Sequence, residues 1–144
     1  MIGSEPMEPR KQIKLLCVDD EDEITDFLHD YFKEKGFEVF TAKSGELALE
    51  LLHKHNPDIA LLDIRLSGGS LSNGLDILKE IKKYNPAIKV IMVTGVYDKA
   101  VIDQAMELGA SNYITKPLSL DYLDTSVMEK IQEVLSGGPD SKNK

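Results

Sequence analysis

Four short apolar runs of this 144-residue chain end on residues that can do phosphate or metal chemistry. IKLLCV is followed by Asp19-Asp20-Glu21, DIALL by Asp63, KVIMV by Thr94-Gly95 and NYIT by Lys116-Pro117. Each ending alone has an ordinary reading. Acids after a strand cap the next helix, threonine suits a strand, and proline opens a helix at its first turn. Four such endings gathered at one rim read differently. Two carboxylates about 4 Å apart repel by roughly 4 kcal/mol at an effective dielectric of 20. Three acids with one lysine must then either hold a proton at raised pKa or bind a divalent cation. All-oxygen ligands with room for water suit Mg²⁺. A carboxylate nucleophile, a hydroxyl donor, a lysine and Mg²⁺ are the parts for phosphoryl transfer to an aspartate. Asp63, which closes an apolar run, is the hardest of these residues to explain as a cap.

A parallel sheet would bring these ends together. Five apolar runs recur, at Ile13–Val18, Phe37–Ala42, Asp58–Leu62, Lys89–Val93 and Asn112–Thr115. Their length and their Val, Ile, Phe and Leu content predict strands covered mostly on both faces. Helical spacing fills the gaps. Ile24, Phe27, Leu28, Tyr31 and Phe32 form one apolar face, and Leu47, Leu51 and Leu52 a second. Leu75, Leu78 and Ile81 form a third, Val101, Ile102, Ala105 and Leu108 a fourth, and Leu123, Val127, Ile131 and Val134 a fifth. Gly36, Asn56-Pro57, Asn85-Pro86 and Gly109 supply stops.

The alternation predicts five βα units with right-handed crossovers, an open α/β sandwich over residues 13–135. Residues 1–12 read as a disordered lead-in and 136–144 as a flexible tail or linker. A closed eight-unit barrel needs about twice this length. Open sheets bind ligands outside the carboxyl ends of their strands, where the four chemical endings fall.

Composition narrows the classes. Acidic residues outnumber basic ones 25 to 17, so neither nucleic acid nor an anionic membrane is an expected partner. No apolar run approaches the roughly 20 residues needed to span a bilayer, and no secretion signal opens the chain. The single cysteine, Cys17, excludes an internal disulfide and a cysteine-built zinc site, and reads as a small buried hydrophobe. A cytoplasmic location is the expectation. His53 and His55, two apart at a helix end, point in different directions and read as solvated residues, and His29 reads as a surface residue.

The stretches KLLCVDDEDEI, DIALLDIRL, VIMVTG and ELGASNYITKPLSLDYL resemble, in that order, the receiver domain of two-component response regulators. The resemblance covers about residues 13–135 and implies the CheY-like, flavodoxin-like form of the doubly wound sheet, with five parallel strands in the order 2-1-3-4-5. It implies that Asp63 is the phosphoacceptor. Asp19 and Asp20 would hold Mg²⁺, joined by Asp63 itself and by the backbone carbonyl of Arg65. Thr94, followed by Gly95, would donate its hydroxyl to a phosphoryl oxygen, and Lys116 would neutralise the phosphoryl charge. The Lys116–Pro117 peptide is expected cis. Tyr113 matches the switch aromatic that turns inward as Thr94 moves.

The same resemblance implies a histidine kinase or histidine phosphotransfer protein as phosphodonor. A downstream protein or output domain would read the face of helix 4, strand 5 and helix 5, and a homodimer through that face follows by analogy. Such a chain is a signalling switch rather than an enzyme, assisting its own phosphorylation and slow dephosphorylation.

Two features depart from the family pattern. Ser67 stands where a proline is usual, and Gly68–Asn73 makes the following loop about three residues longer, so mobility beside Asp63 is expected. Arg65 and Val96 occupy the variable positions flanking the site. Neither is an acid or amide able to orient water, which predicts slow self-dephosphorylation. A rival reading is a Mg²⁺-dependent phosphatase of the haloacid dehalogenase type, with an aspartyl-phosphate intermediate. That family places a second Asp two residues after its nucleophile, where this chain has Arg65, and its acidic pair comes late rather than first. A flavin-binding module of the same fold class lacks a phosphate loop after the first strand, where Asp19 and Asp20 would repel the anion.

Overall fold

The computed structural model describes residues 12–66, 73–95 and 99–137. The expectations for residues 1–11, for the lengthened loop at 67–72, for Val96 and for 138–144 lie outside the described residues. Five strands alternate with five helices in chain order. They are β1 (Lys14–Val18), α1 (Asp22–Glu34), β2 (Glu38–Ala42), α2 (Gly45–His55) and β3 (Ile59–Asp63). There follow α3 (Gly74–Tyr84), β4 (Lys89–Thr94), α4 (Lys99–Glu107) and β5 (Asn112–Thr115). The last helix, α5, runs as Leu120–Tyr122, a π turn over Leu123–Val127, and Met128–Leu135. All strand pairs are parallel and their order is β2-β1-β3-β4-β5, as expected of the doubly wound sheet.

Alternation along the strands divides the interior into two cores. Leu16, Val18, Ala60, Leu62, Val90 and Met92 face α2, α3 and α4. Leu15, Cys17, Ile59, Leu61, Ile91 and Val93 face α1 and α5. Both sets are buried, so a one-residue slip of any central strand would exchange two complete apolar faces without exposing either. Loop lengths and helix faces must therefore set the register.

Local signals place the helix ends. Ser44, Asn73 and Ser119 cap α2, α3 and α5, each side-chain oxygen accepting a backbone N–H of the first turn. Gly36 (φ 97°) and Gly109 (φ 107°) turn the chain where a side chain would be strained, and Asn56 ends α2 in the same left-handed region.

Three details differ from the sequence reading. The α2 face that meets the sheet is Gly45, Ala48 and Leu52, while Leu47 is 37% exposed. Small residues let that helix lie close, so the largest side chains do not mark its inner face. The π turn in α5 leaves no sequence mark, since neither Pro nor Gly stands there, yet Leu123, Val127, Ile131 and Val134 are fully buried as expected. His55 is half-buried and stacks on Phe40, with ring centroids 4.0 Å apart, rather than standing in solvent.

The outer edge of β5 is covered by α5. Thr115 N–H donates to Tyr122 Oη at 3.2 Å, and Lys130 Nζ donates to the Tyr113 carbonyl at 2.9 Å. An edge strand otherwise offers such groups to another chain.

Phe32 anchors the core under α1. It is fully buried, with edge-on contacts to Tyr31 and Phe37. Phe32→Ala should cost about 3–5 kcal/mol of stability, read as a lowered urea midpoint at unchanged slope. A loss near that of a surface substitution would contradict the packing.

Candidate functional site

The strand register alone lines up the four chemical endings. Val18 pairs with Leu62, so the next residue of each strand, Asp19 and Asp63, are neighbours at the sheet rim. Asp63 pairs with Val93, one residue before Thr94, and Thr94 pairs with Thr115, one before Lys116. The row Asp19, Asp63, Thr94, Lys116 follows from parallel pairing. Backbone bonds fix its two ends, Asp19 N–H to the Ala42 carbonyl at 3.0 Å and Lys116 N–H to the Thr94 carbonyl at 2.9 Å.

Asp20, Glu21, Asp63, Ile64, Arg65, Thr94, Gly95 and Lys116 line a cavity of about 220 Å³ at this rim. Asp19 is buried beside it. Its Oδ1 accepts the Glu21 N–H at 3.0 Å, and its Oδ2 meets Lys116 Nζ at 2.9 Å. Asp19 does not cap α1, whose N-cap is Glu21 with no side-chain cap bond; one oxygen of Asp19 closes the turn before the helix and the other faces the site. The same ammonium reaches Asp63 Oδ2 at 3.2 Å. Asp63 Oδ1 also accepts a long bond, 3.4 Å, from the Arg65 N–H.

Pro117 follows through a cis peptide and lines an adjoining groove of about 550 Å³ with Ile24, Phe27 and Leu118. Tyr113 stands apart from the cavity. It is half-buried on the β5 edge, and Lys130 Nζ lies 5.3 Å from its ring centre. The structure therefore brings together all the expected site residues except Tyr113, three residues before Lys116 on the outer edge, and Pro117, in the groove.

Asp19, Asp20 and Asp63 each offer an oxygen within 4.8 Å of the others. Lys116 meets two carboxylates of this trio, Asp19 and Asp63, and around that pair negative charge is in excess. Burial pushes the Asp63 carboxyl up to about 6, helped by the Asp19 charge and opposed by Lys116. A value near 6 raises the proton affinity of Asp63 but leaves it mostly ionised at neutral pH, so the excess negative charge persists there. Lys116 is pulled down by burial, but its bond to Asp19 and the charges of Asp63 and Asp19 outweigh this and hold it above its usual value. It stays charged throughout the physiological range. An all-carboxylate donor set this close, short of positive charge, fits a hard divalent cation such as Mg²⁺.

Glu21, which the sequence places with Asp19 and Asp20 after the first strand, lines the cavity. One neighbour of the site escapes sequence reading. Gly74 lies directly against the Asp63 peptide, and nothing in local composition announces that contact. Cys17 is fully buried, its thiol pushed far up by burial and by Asp19, and stays an inert apolar residue.

A family model for the response regulator receiver domain matches residues 15–128. Sporulation initiation phosphotransferase F of Bacillus subtilis is 34% identical over 114 residues, covering 79% of this chain and 90% of that one. A cyclic di-GMP phosphodiesterase of Thermotoga maritima is 34% identical over 118 residues, covering 82% of this chain but only 31% of that one. A CheY-like receiver domain protein of Methanospirillum hungatei superposes with a TM-score of 0.80 at 28% identity, covering 92% of this chain and 100% of that structure. The chain thus spans nearly all of some relatives and under a third of others.

The Asp63 shift has a stability consequence in metal-free protein. Its folded value, about 6, lies above the ordinary aspartate value of 3.8, so the folded state binds more protons between them. Stability then falls as pH rises through that window, and above it the ionised carboxylate opposes folding. Asp63→Asn, melted in EDTA at pH 8, should be more stable than wild type, with the gap closing as pH falls toward 4. A gap independent of pH would contradict the charge assignment.

Proposed function

The chain belongs to the receiver domains of two-component response regulators, and from that premise we propose that Asp63 is its phosphoacceptor in a phosphorylation-controlled switch. The observation that carries this reading is the Lys116 ammonium seated between Asp19 and Asp63 at the mouth of the strand-end cavity. A carboxylate oxygen of Asp63 forms the new P–O bond as the P–N bond to a donor imidazole breaks, and the electron pair leaves with the ring nitrogen. The donor is a histidine kinase or a histidine phosphotransfer protein.

Asp19, Asp20, Asp63 and the Arg65 backbone carbonyl would hold Mg²⁺, which when bound supplies positive charge for the transferring phosphoryl oxygens. The remaining work falls to side chains of this chain. Lys116 is a compact cation already at the acceptor carboxylate, and the Thr94 hydroxyl, at the end of β4, is placed to donate to a phosphoryl oxygen. Burial keeps Asp63 poorly hydrated and therefore a better nucleophile once it is ionised.

The readout follows from charge. An acyl phosphate carries about −1.5 to −2 charges in place of the single carboxylate charge of Asp63, beside Lys116, whose backbone N–H is bonded to Thr94. Moving a two-state element from 1:99 to 99:1 requires about 5.5 kcal/mol of differential binding. Charge-assisted bonds from Thr94 and Lys116 are of the kind that reach such a total. Tyr113 and the α4–β5–α5 surface are the element biased, and a downstream protein or output domain is the reader.

The test is intact mass after incubation with Mg²⁺ and acetyl phosphate. Wild type should gain one phosphoryl group, lost in Asp63→Asn and in EDTA. With Arg65 and Val96, neither of them an acid or amide, at the two variable positions flanking the site, the adduct should persist well beyond seconds. Steady turnover of an added phosphomonoester would overturn the switch reading in favour of a phosphatase.

A further inference from the structure

The glycines of this chain are needed for two different reasons. Gly36 and Gly109 adopt positive φ, and a Cβ on Gly36 would meet nothing within 4 Å. Gly74 is the reverse, with ordinary φ and no room. A Cβ built there would lie inside contact distance of the Asp63 carbonyl oxygen, 2.9 Å from Ile64 Cα and 3.1 Å from the Asp63 carbonyl carbon. All three are backbone atoms, which cannot rotate aside as a flexible side chain can.

We propose that Gly74 is a positioning residue for the acceptor site, its bare Cα letting the first turn of α3 clamp the peptide that carries Asp63. Three contacts hold the clamp. Gly74 N–H donates to the Ile64 carbonyl at 2.7 Å, Arg65 and Asn73 form an antiparallel bridge, and the Asn73 side chain accepts the Leu75 N–H at 2.8 Å. The chain leaving β3 is thereby tied back to α3 two residues after Asp63. That tie sets the height of the Asp63 peptide in the cavity. It also sets the Arg65 backbone, whose N–H points at Asp63 Oδ1 and whose carbonyl belongs to the proposed metal set.

A methyl group at position 74 must push the Asp63–Ile64 peptide away from α3. The carboxylate and the Arg65 carbonyl move with it, away from Asp19, Asp20 and Lys116, whose positions are fixed from β1 and β5. The sheet itself need not change, because β3 is paired on both sides through Leu62 and with β4 at Asp63. The cost therefore falls on site geometry before it falls on the fold. The inference deepens the acceptor reading and rests on it for the rate measurement only.

The experiment compares wild type, Gly74→Ala and Gly36→Ala in the full chain. Gly36→Ala serves as the control for lost stability remote from the site. Mg²⁺ is titrated with amide NMR detection, and phosphoryl gain from acetyl phosphate is followed by intact mass. Gly74→Ala should stay folded by circular dichroism and shift the Ile64 and Arg65 amide signals before any metal is added. Its Mg²⁺ binding should weaken, and its phosphorylation should slow by about tenfold to a hundredfold, the range expected for misplacement near 1 Å. Gly36→Ala should melt earlier yet bind Mg²⁺ as wild type does. Wild-type Mg²⁺ binding and unshifted Ile64 and Arg65 signals in folded Gly74→Ala would overturn the proposal. If Gly74→Ala fails to fold, Asn73→Ala decides by loosening the same turn without adding bulk: weakened Mg²⁺ binding supports the clamp and unchanged binding overturns it. A wild type that binds Mg²⁺ but gains no phosphoryl group would sink the acceptor reading alone, leaving the Mg²⁺ and amide comparisons to judge Gly74.

Discussion

One ammonium group organises this molecule's chemistry. Lys116 leaves the end of β5 and places Nζ between Asp19, from the end of β1, and Asp63, from the end of β3. Its side chain is one-fifth exposed while both carboxylates are nearly sealed, so the charges meet where water screens them weakly. A paired buried charge is tolerable, whereas an orphaned one is costly. Two acids against one lysine satisfy neither condition fully, and the Asp63 pKa is raised by burial first and by the Asp19 charge second. A site that pairs every charge would have no reason to take up another ion or group. Here Asp19 and Asp63 share a single ammonium.

Every other part of the fold can be read as holding that imbalance in place. Parallel pairing with short helical returns puts the carboxyl ends of all strands on one rim, and two apolar cores clamp the sheet from both sides. Three of the four strands that carry the site, β1, β3 and β4, are central and almost wholly buried, so their ends have little freedom. The loops beyond them begin with residues tied by backbone bonds, as at Asp19, Ile64 and Lys116. Rigid strand ends with adjustable chain beyond them are the arrangement that preorganised charge chemistry needs.

Much of this was legible in the sequence, and the reasons are physical. Buried parallel strands read as continuous apolar runs, and the polar residue that ends such a run must be at the rim, which located Asp19, Asp63, Thr94 and Lys116 before any coordinates. Helix stops at Gly36, Asn56 and Gly109 were visible because positive φ restricts residue type. Contacts between distant segments were not visible. Ala48 rather than Leu47 faces the sheet because close approach favours small side chains over large ones. His55 leaves solvent because Phe40, 15 residues earlier, offers a ring to stack on. The role of Gly74 is an absence of atoms against a backbone 11 residues away, and no propensity or periodicity encodes it.

The remaining question is how an event at Asp63 reaches the surface, and the bonding suggests a short route. Lys116 is tied by its backbone to Thr94, and the next outward-facing residues of β5, Tyr113 and Thr115, are held from outside by Lys130 and Tyr122 of α5. The edge of β5 therefore belongs mechanically to α5. Lys130 serves Tyr113 twice, through the backbone carbonyl and across the ring, so a rotation of that ring gives up a cation–π contact while the strand bond can persist. A bond that survives alongside a contact that breaks is what allows a ring to move without unzipping its strand. On the proposed function, charge added at Asp63 would act on Lys116 and Thr94 directly and on Tyr113 only through β5. The α4–β5–α5 face would then change shape while the sheet that carries the acid rim keeps its register.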